Sequence, residues 1–298
     1  MTASEPSLLL VDGHAYAYRA FHAIRDLSSP AGQPTNAIFG FVKAVLGLSS
    51  SLAPTHLAVV WDGGLVPERL ALLPEYKAQR PPMPAALAAQ LDGMVAWLEA
   101  SRIVSFCQDG VEADDAIATL ACRAASDRAQ VVIASADKDF MQLVSPRIGL
   151  LNPNDKTVRI WSAEDVVAKT GVTPDQVVDW LCLVGDAVDN IPGVPGVGAK
   201  TASALLGEFG SCRRLLEEAN RIQSDRIRTS LLNSADHLSR NQQVICLKKD
   251  LDLPLSLDQL SAQPPDAGQL AALYREWGFR SLLAAIESAH SRQTTLDL

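Results

Sequence analysis

Five short aliphatic runs constrain this chain more than any other feature: residues 8–12 (LLLVD), 57–62 (LAVVWD), 103–107, 131–134 (VVIA) and 148–151 (IGLL). Continuous leucine and β-branched runs of this kind fit strands covered by helices on both faces. Helical periodicity occupies residues 37–48, 85–100 and 113–125. A strand–helix alternation of this order predicts an α/β fold with a parallel sheet through about residue 160. From Ser162 the pattern becomes helical and is segmented by Gly and Pro, which predicts a smaller all-α domain. The expected division is residues 1–161 for the sheet domain, 162–290 for the helical one and 291–298 as a flexible tail.

With 298 residues, 48% of them hydrophobic, the chain can bury a substantial core. No apolar run approaches the roughly 20 residues that cross a bilayer, and the N-terminal MTASEPS has neither a basic n-region nor an apolar h-region. Five cysteines (Cys107, Cys122, Cys182, Cys212, Cys246) are scattered and never spaced CxxC. They read as reduced thiols of a cytosolic protein without a zinc site. A net charge of −8 weighs mildly against tight nonspecific binding of nucleic acid. It does not exclude a nucleic-acid partner, because acids that converge on bound divalent cations are neutralised locally.

The position of the acids is informative. Asp12 and Asp62 each end a strand-like run, and the carboxyl ends of parallel strands form the ligand-binding edge of such sheets. Asp137 and Asp139 (SADKDF) follow the fourth run and reach the same edge. Glu112, Asp114 and Asp115 (VEADDA) open a helix, and Asp186 and Asp189 (GDAVDN) are three apart. Each group alone also reads as capping or turn chemistry. Their conjunction is harder to explain that way, since like charges brought so close repel unless cations sit between them. All-oxygen ligands select Mg²⁺ or Mn²⁺, and two such ions suit phosphoryl displacement.

Two further segments stand out. Residues 63–84 (GGLVPERLALLPEYKAQRPPMP) form a long Pro-rich stretch carrying Arg69, Tyr76, Lys77 and Arg80, either a functional loop or a solvated basic one. Residues 191–201 (IPGVPGVGAKT) alternate Gly193, Gly196 and Gly198 with apolar residues before a helix begins near Ala199. Backbone N–H groups there, with Lys200 and Thr201, could grip a phosphate backbone without reading bases. A plain connection between helices is the other reading. The histidines show no HExxH spacing, and neither a GxSxG elbow nor a P-loop is present. His14, beside Asp12, is the sole candidate base of that type, and a lone histidine is more often structural.

The segments LLLVDGHAYAYRAFHA, GQPTNAIFGF, LPEYKAQRPPMP, VEADDAIATLA, ASADKDFMQLV and GDAVDNIPGVPGVGAKTA occur in this order along nearly the whole chain. In them the chain resembles the flap-endonuclease (5′-nuclease) family, and within it the 5′–3′ exonuclease domain of bacterial DNA polymerase I. The resemblance implies a PIN-like parallel-sheet nuclease core with a helical arch at about residues 63–90, plus a helix–two-turn–helix DNA-binding domain. It implies metal ligands at Asp12, Asp62, Glu112, Asp114, Asp115, Asp137, Asp139, Asp186 and Asp189. One ion would take Asp12, Asp62 and Asp114, and the other Asp137, Asp139, Asp186 and Asp189, with Asp114 as a bridge. Lys77 and Arg80 would stabilise the scissile phosphate, Tyr76 would stack on a base, and Arg19 and Arg69 would contact phosphates. The GVPGVGAKT hairpin would clamp duplex DNA with the help of K⁺.

Implied substrates are branched or flapped DNA with a 5′ end and RNA primers, cut during replication and repair by a cytoplasmic, nucleoid-associated monomer that works beside a DNA polymerase. Residues 293–298 (QTTLDL, from Gln293 to Leu298) resemble the QxxLx[LF] peptide that docks on the bacterial sliding clamp, although a frayed polar tail also fits them. Trp61 stands where the family usually has phenylalanine. Glu68 stands where it often has an aromatic residue, a change expected to weaken DNA engagement. A PIN-type ribonuclease and a non-catalytic junction-binding module are the alternatives. The arch and hairpin count against the first, and the full set of acids against the second.

Overall fold

A computed structural model describes residues 5–155 and 159–296, with side chains through Ser288. The chain divides into two compact units, neither of which is one stretch of sequence. The first comprises Met1–Asp62, Pro82–Cys107 and Pro254–Leu298, and the second Gly63–Pro81 and Gln108–Leu253. The boundary expected at residues 161–162 falls inside the second unit, and residues after 254 belong to the first. Local pattern identifies helices but not the core each one covers, which is why the sequence suggested a simple two-part division.

In the first unit, β1 (Ser7–Asp12), β2 (His56–Val60) and β3 (Val104–Phe106) lie in parallel in the order β3-β2-β1. Leu8, Leu9, Leu10 and Val11 of β1 are all buried, as a strand covered on both faces requires. The helices of this unit are α1 (Gly13–Ala23), α2 (Asn36–Leu52), α4 (Ala85–Ala100), α12 (Ala267–Trp277) and α13 (Arg280–Leu296). Phe41 of α2 stacks on Trp61, and the Trp97 indole of α4 donates to the Tyr274 hydroxyl at 2.9 Å. Trp61 has a further consequence: a Cβ on Gly13 would lie 2.6 Å from its ring. Only glycine lets α1 start this close to the larger aromatic.

The second unit holds β4 (Gln130–Ala134) and β5 (Ile148–Leu151) in parallel, with the two-residue β6 (Ile160–Trp161) antiparallel to β5. A strand of two residues carries no readable periodicity, so β6 is not legible in the sequence. Its helices are α3 (Pro67–Leu72), α5 (Ala113–Ser126), α6 (Ala163–Thr170), α7 (Val177–Val184), α8 (Ala199–Phe209), α9 (Cys212–Glu217), α10 (Asp225–Asn233) and α11 (Ala235–Ile245). Ile117, Ile133, Phe140, Leu181 and Leu206 form much of its core. The expected α/β architecture, with mostly parallel strands and a following helical region, is what the structure has. Among the described residues no helix is long and apolar enough to cross a membrane.

Candidate active site

Asp12 and Asp62 lie in the first unit. Asp12 is the last residue of β1, and its Oδ1 accepts the Ala15 N–H at 3.0 Å, so the same carboxylate caps α1. In the parallel register Asp12 faces Val60, and Asp62 lies two residues further along, at the carboxyl edge of these strands. The Asp62 N–H donates to His14 Nδ1 at 3.2 Å. Burial holds His14 below its ordinary pKa, opposed by the neighbouring Asp62 carboxylate. His14 thus has a structural partner in the Asp62 backbone. Arg19, on α1, is exposed and open to a phosphate.

The second unit by itself holds the other seven acids, many of them paired with basic side chains. Glu112 is the N-cap residue of α5 and is fully buried, as is Asp115 one turn on. Arg69, from α3, ion-pairs with both: it makes a fork to Asp115 at 2.8 Å on each oxygen and a shorter bond to Glu112. Its Nε donates to the Val244 carbonyl at 2.9 Å, and Asp115 also accepts the Lys248 N–H. The Tyr76 hydroxyl donates to Glu112 at 3.3 Å. Lys77 Nζ lies 3.1 Å from Glu112 and 4.0 Å from Asp114. Burial works against the Lys77 ammonium, but Asp114, Glu112 and Asp189 outweigh it and raise its pKa. Lys77 also has a left-handed backbone, φ 56°, the kind of local strain that clusters at functional sites.

Two expectations change here. Arg69 is buried at 4% exposure with its donors spent on Asp115, Glu112 and backbone carbonyls, so in this conformation it cannot reach a phosphate. Tyr76 is equally buried, with its hydroxyl on Glu112, and offers no face to a base. A charge census cannot distinguish a cation that binds substrate from one that neutralises two buried acids. The Glu68 carboxylate, exposed at the start of α3, pairs with Lys248 at 3.6 Å.

Asp137, Asp139, Asp186 and Asp189 form the remaining group. Asp137 caps the 3₁₀ turn Lys138–Leu143, accepting the Asp139 N–H at 2.9 Å. Arg80 pairs with Asp189 at 2.5 Å, and the Lys77 N–H donates to the Asp189 carbonyl at 3.0 Å. Lys138, which the sequence reading passed over, pairs with Asp186 at 3.0 Å. The only available signal was its place between Asp137 and Asp139. Burial raises the pKa of Asp137, and raises that of Asp139 well above the usual range, with repulsion from Asp137, Asp189 and Asp186 adding to it.

Among the described residues no three His, Cys, Asp or Glu side chains stand in metal-holding geometry. Basic side chains hold many of these carboxylates instead. The donor set nevertheless fits a hard cation. It is all oxygen, its members repel one another, and Asp139 Oδ1 is buried without a hydrogen-bond partner among the described residues. Asp186 also lines a cavity of about 660 Å³ together with Glu75, Asn190, His237 and Arg240.

The glycine hairpin lies between α7 and α8. Val194 and Val197 are buried and anchor it, while Gly196, Gly198 and Lys200 are exposed. Gly196 has φ +83° with the Arg226 guanidinium across it, and Gly198 is the N-cap residue of α8 with no side-chain cap. Thr201 is half-buried on the first turn of α8. A Cβ on Gly193 would meet the Val184 carbonyl at 2.4 Å. Gly193→Ala is therefore expected to lower unfolding stability by about 3 kcal/mol, read from urea denaturation midpoints.

Two family models together cover residues 7–268: "5′-3′ exonuclease, N-terminal resolvase-like domain" over residues 7–171, and "5′-3′ exonuclease, C-terminal SAM fold" over residues 172–268. The chain belongs to the 5′–3′ exonuclease family. A 5′–3′ exonuclease of Aquifex aeolicus is 36% identical over 94% of this chain and 95% of its own length. DNA polymerase I of Bacillus caldotenax is 35% identical over 96% of this chain, which spans only 33% of that polymerase. The T5 D15 protein, co-crystallised with metal ions, has the same fold at a TM-score of 0.68 and 22% identity, covering 95% of this chain and 98% of the T5 chain. The catalytic core of Rad2, solved with DNA substrate, matches at a TM-score of 0.66 and 17% identity over 95% and 92% of the two chains. The chain is thus a nuclease of the 5′–3′ exonuclease family, with an α/β core and a SAM-like helical region.

Proposed function

We propose that this 5′–3′ exonuclease hydrolyses phosphodiester bonds at the 5′ ends and flap junctions of branched DNA, and removes RNA primers, using divalent metal ions. The supporting observation is the group of Asp137, Asp139, Asp186 and Asp189, the last three of them buried, in which Asp139 Oδ1 has no hydrogen-bond partner among the described residues. Bound Mg²⁺ or Mn²⁺, two ions in this reading, would supply charge neutralisation and activation of water for phosphoryl displacement. Asp137, Asp139, Asp186 and Asp189 would hold metal, and Asp114 would do so from the first turn of α5. The motif match assigns metal binding to Asp12 and Asp62 as well. Glu112 and Asp115, locked by Arg69, fix that turn and so act on Asp114 through the backbone.

Lys77 and Arg80 would stabilise the negative charge that grows on the phosphate in the transition state. The GVPGVGAKT hairpin, assisted by K⁺, would hold the duplex through its exposed N–H groups, with Lys200 and Arg19 as phosphate contacts. The T5 D15 protein has been crystallised with DNA and metal ions, which supports the same class of ligands here. The polymerase I relatives support a replication and repair setting beside a DNA polymerase. We extend the proposal to docking of residues 293–298 on a sliding clamp; their side chains lie outside the described residues. Retention on purified clamp of the full chain but not of a chain ending at Ser291 tests that extension, and equal retention overturns it.

A 5′-labelled double-flap DNA with Mg²⁺ tests the activity. Wild type should cut near the junction, Asp114→Ala should lose at least about a hundredfold, and Lys77→Ala about a hundredfold in kcat. A wild-type protein that binds the flap with Mg²⁺ or Mn²⁺ present and never cuts it is instead a junction-binding module. Cleavage confined to RNA would make it a PIN-type ribonuclease.

A further inference from the structure

Lys138 has no role in the reading above, and its placement is specific. It is the first residue of the 3₁₀ turn that Asp137 caps, so the backbone that sets Asp137 and Asp139 also sets Lys138. Its Nζ lies 3.0 Å from Asp186 Oδ1, the same oxygen that accepts the Val188 N–H at 2.9 Å. The Asp186 side chain is 7% exposed and that of Lys138 37%, so one end of the pair is enclosed and the other can swing into water. Asp186 also borders the open cavity, through which a hydrated ion could arrive. Asp139, next to Lys138 in the chain, presents the buried Oδ1 that has no hydrogen-bond partner among the described residues.

We propose that Lys138 is a tethered counter-ion for Asp186 that competes with the divalent cation for that carboxylate and thereby lowers the metal affinity of the site. This rests on the metal-dependent reading above. An ammonium on Asp186 neutralises one of four crowded acids in the metal-free protein, as Arg80 does for Asp189, and so relieves part of the repulsion among them. A divalent ion that uses the same oxygen must displace the ammonium, and whatever stabilisation the pair provides is subtracted from the binding free energy. After displacement, the half-exposed lysine stem lets the charge relax into solvent. A phosphate-binding lysine would behave differently, because its removal would weaken DNA binding and leave metal affinity in the absence of DNA unchanged.

The experiment is a Mn²⁺ titration of the full chain without DNA, followed by electron paramagnetic resonance and by calorimetry, on wild type, Lys138→Met and Lys138→Arg. Exposed ion pairs of this type predict that Lys138→Met binds Mn²⁺ about two- to fivefold more tightly, while Lys138→Arg stays close to wild type. Circular dichroism verifies that both variants are folded. Equal Mn²⁺ affinity in wild type and Lys138→Met overturns the counter-ion role and leaves the metal reading intact. If wild type binds no Mn²⁺ at all, the metal reading itself fails, and the counter-ion role fails with it. Weaker Mn²⁺ binding in Lys138→Met would also overturn the proposal, since it would make Lys138 a support of the site.

Discussion

Asp139→Asn should abolish flap cleavage while making the metal-free protein more stable. The two effects have one cause. Burial first, and then repulsion from Asp137, Asp189 and Asp186, raises the pKa of the Asp139 carboxyl well above its ordinary value. A carboxyl whose folded-state pKa is raised costs stability wherever it is ionised, and the cost disappears as pH falls through the folded value. At neutral pH the wild-type protein therefore carries this cost, and asparagine removes it by fixing a neutral side chain. Chemical denaturation in EDTA at pH 7.5 should show Asp139→Asn more stable than wild type. With Mg²⁺ at about a hundred times its Kd, wild type should gain about 2.7 kcal/mol and the variant far less. Cleavage of the double flap should fall at least about a hundredfold. Equal stability of the two proteins in EDTA would show that the acidic cluster is not strained, and would remove the main structural support for the metal centre.

Arg69→Ala should have the largest effect on folding. The guanidinium is almost fully enclosed and is shared between Glu112 and Asp115, which are themselves buried, and it also ties α3 to the end of α11 through the Val244 carbonyl. Removing one partner of such a group leaves uncompensated buried charge, which costs about 3–5 kcal/mol. In a chain of this size that lowers the thermal midpoint by roughly 10 °C. Arg69→Lys keeps the charge but not the planar fork, so it should recover part of the loss. A near-wild-type melting curve for Arg69→Ala, together with weakened DNA binding, would restore the phosphate-contact role that the sequence resemblance implies for Arg69.

Much of the site could be read before any coordinates. Asp12 lies at the end of β1, Asp62 just past β2, Asp137 and Asp139 just past β4, and Asp114 in the first turn of α5, as the aliphatic runs and helical periods required. Those placements depend on backbone geometry over a few residues, which hydrophobic period and turn chemistry encode locally. The glycine hairpin was legible for the same reason, since alternation of Gly with Val in residues 193–198 already implies close approach on one side and anchoring on the other.

What the sequence could not show is which charges pair. Arg69, Lys77 and Arg80 were equivalent as candidate contacts for phosphate, Tyr76 was a candidate to stack on a base, and Lys138 carried no distinct signal, because local pattern does not state what a long side chain will meet. Tertiary structure buries Arg69 between Glu112 and Asp115, 43 and 46 residues away in sequence, and places Arg80 on Asp189, 109 residues away. It also decides that residues 254–298 join the unit of β1–β3, and not the one that contains most of the helices before them. Strand and helix periods are fixed by residues a few positions apart. The pairing of buried charges and the sharing of cores are decided by desolvation in the assembled chain, which turns an exposed-looking arginine into an internal counter-ion.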